Sequence, residues 1–317
     1  TPGAGEGGTV VYSVDGGAYS ELIPTRIEAK DYTVLYKVAG DDNHSDSDVG
    51  TVIVTIAPKP VTATIELLDE NGDPLVNYVY DGSAKEPQVV VKDGSTEIAA
   101  KEYNVVYRDN VDAGEAKVNI TDKPGGNYTV TGSDTFVIVK ANIVFTQPPS
   151  AAAIIYDGAA HELLVPGVTS GGEVLYALGS ATSTYTAAIP QATKAGNYTV
   201  YYKVVGDKNH NDFSIAQVPV TIQRKELTTI GIELIPDHFE YDGAVKLPQV
   251  VVKDGKTVLP EEEYTWTCTE TASPKDQGTY TITIQDAPGG NYDLTGVTGN
   301  TATFTIGQTA QTELKIE

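Results

Sequence analysis

The chain contains no methionine, one cysteine and one tryptophan in 317 residues. A single thiol, Cys268, excludes an internal disulfide framework. Such sparse cysteine suits the cytosol and equally suits bacterial surface proteins that dispense with disulfides. Basic residues are also few, 21 against 43 acidic, for a net charge of -22. That imbalance repels phosphate backbones and anionic lipid headgroups, so nucleic acid and direct membrane insertion are set aside as partners. No apolar run is long enough to span a bilayer, and the opening TPGAGEGG lacks the basic and apolar parts of a signal segment. His44, His161, His210 and His238 make no zinc spacing. No Gly-x-Ser-x-Gly elbow is present.

What is present is strand chemistry. Apolar residues make up 40% of the chain, and 19 Tyr stand against 5 Phe. Tyrosine with abundant Thr and Val suits half-exposed sheet. Short β-branched and aromatic runs such as YTVYYKV (198–204), TYTITI (279–284), FVIV (136–139) and TVIVTI (51–56) are bounded by Gly, Asn, Asp and Pro clusters. No window shows a helical period.

The eight letters PQVVVKDG occupy 87–94 and again 248–255. The match extends upstream, where Tyr80-Asp81-Gly82 answers Tyr241-Asp242-Gly243. Downstream, Glu102-Tyr103 answers Glu263-Tyr264, and PGGNY at 124–128 answers PGGNY at 288–292. This is a B repeat. An A repeat fills the gaps: DYTVLYKVAGDDNHSD (31–46) matches NYTVYYKVVGDKNHND (197–212). A period of about 80 residues is too long for a solenoid and fits a string of domains. The expected domains are 1–58 (a partial A repeat lacking its N-terminal strands), 59–140 (B), 141–224 (A) and 225–308 (B). Residues 309–317 begin a further repeat or form a tail. TELKIE at the end is similar to the B opening VTATIEL, so both ends read as cuts in a longer array.

Seven short strands per repeat is an immunoglobulin-like count. The expected fold class is all-β, with tandem Ig-like β-sandwich domains in an extended array. A local signature agrees: Tyr32 with Val34, Tyr198 with Val200 and Tyr280 with Ile282 place a corner tyrosine two residues before a core position, whereas the first B copy has Ala116 and Val118.

Tyr-Asp-Gly, a proline-led valine run, Glu-Tyr and the Gly-Asn-Tyr close together resemble the bacterial surface repeats called YDG and MBG domains, with the A copies a diverged relative. The resemblance covers most of the chain and rests on turn and core residues. It implies a tandem β-sandwich module of secreted or wall-attached proteins, serving as stalk or adhesin shaft. Short junctions, APKPVTATI (57–65) and QRKELTTI (223–230), favour a stiff rod.

Candidate chemistry is thin. Gly3-x-Gly5-x-x-Gly8 has the letters of a dinucleotide loop without its strand and helix. Asp69, Asn71 and Asp73 alternate as calcium loops do, but Pro74 replaces the glycine and Tyr80 the bidentate glutamate, so a hairpin turn is expected. Asp41, Asp42, Asp46 and Asp48, with Asp207 and Asp212 in the sister repeat, read as an acidic loop rather than inter-domain calcium ligands. Cys268 alternates with Tyr264 and Trp266 and is expected as a core filler. Lys37 and Lys203 are read as exposed lysines, not partners in lysine to asparagine cross-links. The sequons at Asn43, Asn119, Asn127 and Asn197 arise from threonine-rich strands.

The expected function is therefore a non-catalytic structural stalk or adhesin shaft that projects a distal domain, extracellular, on a bacterial cell surface or secreted, with no cofactor and no metal. Its neighbours would be repeats of the same chain. The alternative is a module binding glycan or host surface protein through Tyr-rich faces, with the insert at 175–189, longer than its counterpart at 11–23, as the non-shared candidate. A third reading makes the region an accessory to a secreted enzyme, which would show a deep pocket. The absent strands of the partial first repeat are expected either to be replaced by a neighbouring chain, through strand complementation, or to reflect an incomplete structure.

Overall fold

The computed structural model describes residues 5–310. Strands dominate them, no α-helix forms, and the helical turns Ala100–Glu102 and Glu261–Glu263 are single 3-10 turns. The final TELKIE and Gly3 lie outside the described residues. No helix is long and apolar enough to cross a membrane among the described residues.

The chain divides into two compact units. One takes in residues up to Ala141 together with Lys208–His210; the other takes in Asn142–Asp207 and the chain from Asn211. Buried apolar residues gather in three clusters, drawn from 61–138, 154–222 and 227–306. Strand alternation supplies them. In Tyr128–Val139, Val130, Phe136 and Ile138 point inward while Thr129, Thr131 and Thr135 face water. Each fully buried aliphatic or aromatic side chain contributes about 1.5–3 kcal/mol by burial.

Within 59–140, one sheet is ordered Lys59–Thr62, Tyr128–Val139, Gly114–Asp122, Tyr103–Arg108, with Tyr78–Val79 also on Tyr128–Val139. A second sheet is ordered Thr64–Leu68, Gln88–Asp93, Thr96–Ile98. Val91 and Ile98 of the second sheet enter the same core as Val118 and Val130 of the first, which makes a sandwich. Residues 225–308 repeat the arrangement with Val252 in the place of Val91. PQVVVKDG thus recurs as a central strand and its hairpin turn. Gly94 and Gly255 end it at φ of 65° and 62°, a left-handed conformation suited to glycine.

The corner tyrosines behave alike. Tyr32 Oη donates to the Glu28 carbonyl at 2.9 Å, Tyr198 to Lys194 at 2.7 Å and Tyr280 to Asp276 at 2.8 Å. Each bond reaches back four residues along the chain, the tyrosine corner of Ig-like sandwiches. The fold is an all-β tandem array of such modules.

The first A segment differs. Its described residues form one sheet of β1 (Gly8–Val14), β2 (Asp31–Gly40) and β3 (Gly50–Thr55), with β3 on the edge. Tyr36 is 44% exposed, whereas its sister Tyr202 is 9% exposed and packs against Phe145 and Phe213. Val52, Ile53 and Val54 on β3 are also exposed.

Candidate functional site: the segment junctions

The shared motifs acquire physical roles where consecutive segments meet. In Tyr-Asp-Gly, the residues just before it form a short strand running parallel to the last strand of its own segment. Tyr78–Val79 lies on Ile138–Val139, Ile154–Ile155 on Ile222–Gln223, and His238–Glu240 on Thr305–Gly307. The tyrosine amide closes the pairing: Tyr80 N–H donates to Val139 O, Tyr156 to Gln223 O and Tyr241 to Gly307 O, at 2.8–3.0 Å.

The aspartate then caps the turn. Asp81 Oδ1 accepts from Ser83 N–H, Asp157 Oδ1 from Ala159 N–H and Asp242 Oδ1 from Ala244 N–H. A side chain four residues on pairs with each aspartate: Lys85, His161 and Lys246. Gly82, Gly158 and Gly243 take φ of 82°, 86° and 80°, which ends the strand.

These partners hold the three carboxyls below the ordinary aspartate range, the side-chain bonds from Lys85, His161 and Lys246 being the largest causes. The Asn127 backbone N–H does the same for Glu102. Because these folded values lie below the unfolded ones, the stability they confer is complete above the unfolded range and is lost as pH falls from there through the folded values. The melting temperature is expected to stay level from pH 7 to about 5 and to drop below about pH 4, with the drop reduced by salt. Calorimetry across that range checks it; a steady decline beginning near pH 6.5 would contradict it.

Glu-Tyr and Pro-Gly-Gly-Asn-Tyr form a second device. The 3-10 turns bury Glu102 and Glu263 beneath the glycine turn. Glu263 accepts Asn291 N–H at 2.5 Å and the Asn291 side-chain amide through its other oxygen. Glu102 accepts Asn127 N–H at 2.6 Å and its side-chain amide at 3.3 Å. A Cβ on Gly290 would sit 3.2 Å from the Glu263 carboxylate, so the second glycine permits the approach.

With its NH2 group committed to glutamate, the asparagine must turn Oδ1 outward. There it accepts a backbone N–H from the preceding segment: Ala29 for Asn127 at 2.7 Å, and Ala195 for Asn291 at 2.8 Å. Its own carbonyl accepts from the first strand of its segment, Lys59 for Asn127 and Lys225 for Asn291. Within the first unit, Asn209 repeats the pattern, with Oδ1 on Ala113 N–H at 2.9 Å and its carbonyl on Ala141 N–H. Asp112 there takes the place of the glutamate as acceptor for the amide of Asn209, and pairs with Lys208.

The residue after each asparagine is aromatic, and after Asn291 and Asn209 it meets the Tyr-Asp-Gly tyrosine of the preceding segment edge to face. The pairs are Tyr156 with Tyr292 and Tyr80 with His210, both with centroids 5.4 Å apart. In the second unit Arg224 also reaches Asp286 and the Tyr292 carbonyl, and Lys225 pairs with Asp254.

The other candidates dissolve into local structure. Asp69 Oδ1 accepts the N–H groups of Asn71 and Asp73, closing a hairpin turn. Asp41 holds Asn43 N–H and His44; Asp46 holds Gly40 N–H and Lys37, as Asp212 holds Gly206 N–H. Asp207 Oδ2 accepts from Gly172. No group of three His, Cys, Asp or Glu gathers as metal ligands do among the described residues. Cys268 is half-buried against the last core beside Trp266. His238 Nδ1 lies 2.8 Å from Thr305 Oγ1. Of the sequon residues, Asn127 is the junction asparagine, and Asn197 accepts from Thr221.

The insert at 175–189 is less distinctive than its length suggests. Tyr176 bridges Thr186 as Tyr12 bridges Ser20, so both copies fold back in the same way. Tyr185 lies under the Lys203 ammonium at 4.7 Å as Tyr19 lies under Lys37 at 5.1 Å. Only Tyr19, Tyr36 and Tyr241 are exposed tyrosines among the described residues. A groove of about 690 Å³ is a shallow depression on a sheet face lined by Arg108, Lys117 and Asn119.

No protein-family model matches the chain, and no curated protein does. Among solved structures, 94% of the chain aligns with the protocadherin gammaB4 extracellular domain at 10% identity and a TM-score of 0.26, spanning 61% of that chain. Protocadherin gammaB7 EC3-6 aligns over 96% of this chain and 94% of its own at 12% identity and 0.28. Surface layer protein SbsC, domains 1-6, aligns over 95% and 48% at 14% identity and 0.22. Likeness at this level bears on neither activity nor partner.

Proposed function

We propose that the chain is a non-catalytic structural stalk or adhesin shaft of the YDG/MBG kind, carried outside a bacterial cell. The observation that carries this reading is the repeated junction. Its most regular chemistry is an asparagine that accepts a backbone N–H of the preceding segment while a carboxylate holds its amide, supplied by its own segment at Asn127 and Asn291 and by the preceding one at Asn209. An acidic surface keeps such a chain soluble and away from polyanions. Residues 59–140, 141–224 and 225–308 are the load-bearing beads in this reading, with 1–58 a partial one.

Stretching single molecules by their ends tests it. Three unfolding steps are expected, each releasing on the order of 80 residues, or about 26–29 nm of extended chain less the folded length. Extension without discrete steps would remove the mechanical role.

A further inference from the structure

The two B copies differ in how completely the outer face of their larger sheet satisfies itself. Counting from Tyr103 and Tyr264, Arg108 stands in the place of Thr269. Lys117, opposite Arg108 in register, stands in the place of Thr281, which is bonded to Thr269. In 225–308 this face is closed on itself. Glu270 accepts the Thr281 N–H at 2.7 Å and its hydroxyl at 2.8 Å, Thr269 and Thr283 join through their hydroxyls at 3.1 Å, and Thr305 Oγ1 lies 2.8 Å from His238.

In 59–140 the same face is unsatisfied. Arg108 and Lys117 form no ion pair among the described residues, and neither they nor Asn119, Thr121, Thr131 and Ser133 make a side-chain hydrogen bond there. Glu115 and Asp109, the nearest acids along the two strands, pair with neither cation. Like charges directly opposite each other oppose strand pairing. Lysines on other sheet faces are matched with acids instead, Lys92 with Glu66 and Lys253 with Glu233. The six unsatisfied side chains line one groove across the strands Tyr103–Arg108, Gly114–Asp122 and Tyr128–Val139. Val106, opposite Asn119 in register, adds an exposed apolar surface to it.

We propose that this groove binds a saccharide carrying a single carboxylate. The planar guanidinium of Arg108 and the ammonium of Lys117 take the carboxylate between them. Asn119, Thr121, Thr131 and Ser133 exchange hydrogen bonds with ring hydroxyls, and Val106 meets the apolar edge of a sugar ring. Topology disfavours an added peptide strand, because Gly114–Asp122 is bonded on both sides and offers no free main-chain edge. The net charge of -22 disfavours a polyanion, whereas one carboxylate meets two local cations.

The test titrates the full isotope-labelled chain with a glucuronate-terminated disaccharide, with its neutral glucose-terminated counterpart and with acetate. Saturable chemical-shift changes at Val106, Arg108, Lys117 and Asn119 are expected from the acidic disaccharide, the other two ligands binding at least about tenfold more weakly. A chain carrying Arg108→Thr and Lys117→Thr takes the residues with which the sister face already folds. Its melting temperature should hold or rise while its binding falls at least about tenfold. Asn119→Ala keeps both charges and should weaken the disaccharide severalfold while leaving acetate unchanged. The proposal is overturned by an absence of shifts up to about 10 mM ligand, by equal affinity for the neutral disaccharide or for acetate, by shifts confined to other segments, or by full binding to the double variant. An acidic peptide that binds as tightly as the disaccharide would also overturn it, by assigning the two cations to a protein partner.

Discussion

Replacing Glu263 with alanine is expected to destabilise the last segment by about 2–4 kcal/mol, because the N–H and side-chain amide of Asn291 lose their acceptor while remaining buried. The effect should travel. Without the carboxylate, the Asn291 amide is held in place by the Ala195 N–H alone, so protection of that N–H from hydrogen exchange should fall as well. Glu263→Gln separates the two effects. It keeps one acceptor oxygen and can restore one bond, so about half of the stability should return. Denaturant unfolding gives the first quantity and amide exchange the second. Lost stability with unchanged exchange at Ala195 would make Glu263 a brace of its own segment and remove it from the junction.

Phe304→Ala is expected to cost about 3–5 kcal/mol, the range for deleting a fully buried aromatic. Phe304 stacks on Tyr280 and meets Phe239 edge to face, at the centre of the core formed by residues 227–306. The single tryptophan, Trp266, packs against that same core and against neither of the other two. Tryptophan fluorescence therefore reports this segment, while far-UV dichroism reports all of them. The fluorescence transition should move to lower denaturant, leaving most of the dichroism transition in place. A common shift of both signals would show that the segments unfold as one body and would defeat the reading of separate beads.

How much of this was legible beforehand depended on how far each interaction reaches along the chain. The tyrosine corners were visible because Tyr198 and Val200 stand two residues apart and the hydroxyl bonds only four residues back. The Asp-Gly turns after the valine strands were visible for the same reason. Asn127 was visible only as a letter in a repeated closing motif and as a sequon. Its partner across the junction is the backbone N–H of Ala29, and an alanine carries no side-chain chemistry to betray a role. Glu102 likewise read as the neighbour of a core tyrosine, since only the 3-10 turn brings it under the glycine pair. The insert at 175–189 misled in the opposite direction: length set it apart, yet the Tyr185 and Lys203 contact reproduces that of Tyr19 and Lys37.

The junction asparagine has an evolutionary consequence. The bond common to its three occurrences asks of the preceding segment one backbone amide, which an alanine of an A or a B copy provides equally, while Asn209 takes the Asp112 carboxylate from its neighbour as well. Asn127 of a B copy takes that amide from an A copy, Asn209 of an A copy from a B copy, and Asn291 again from an A copy. Since each order of neighbours has its own carboxylate, unequal recombination that adds or removes a whole A-B pair recreates seams already present and needs no compensating mutation.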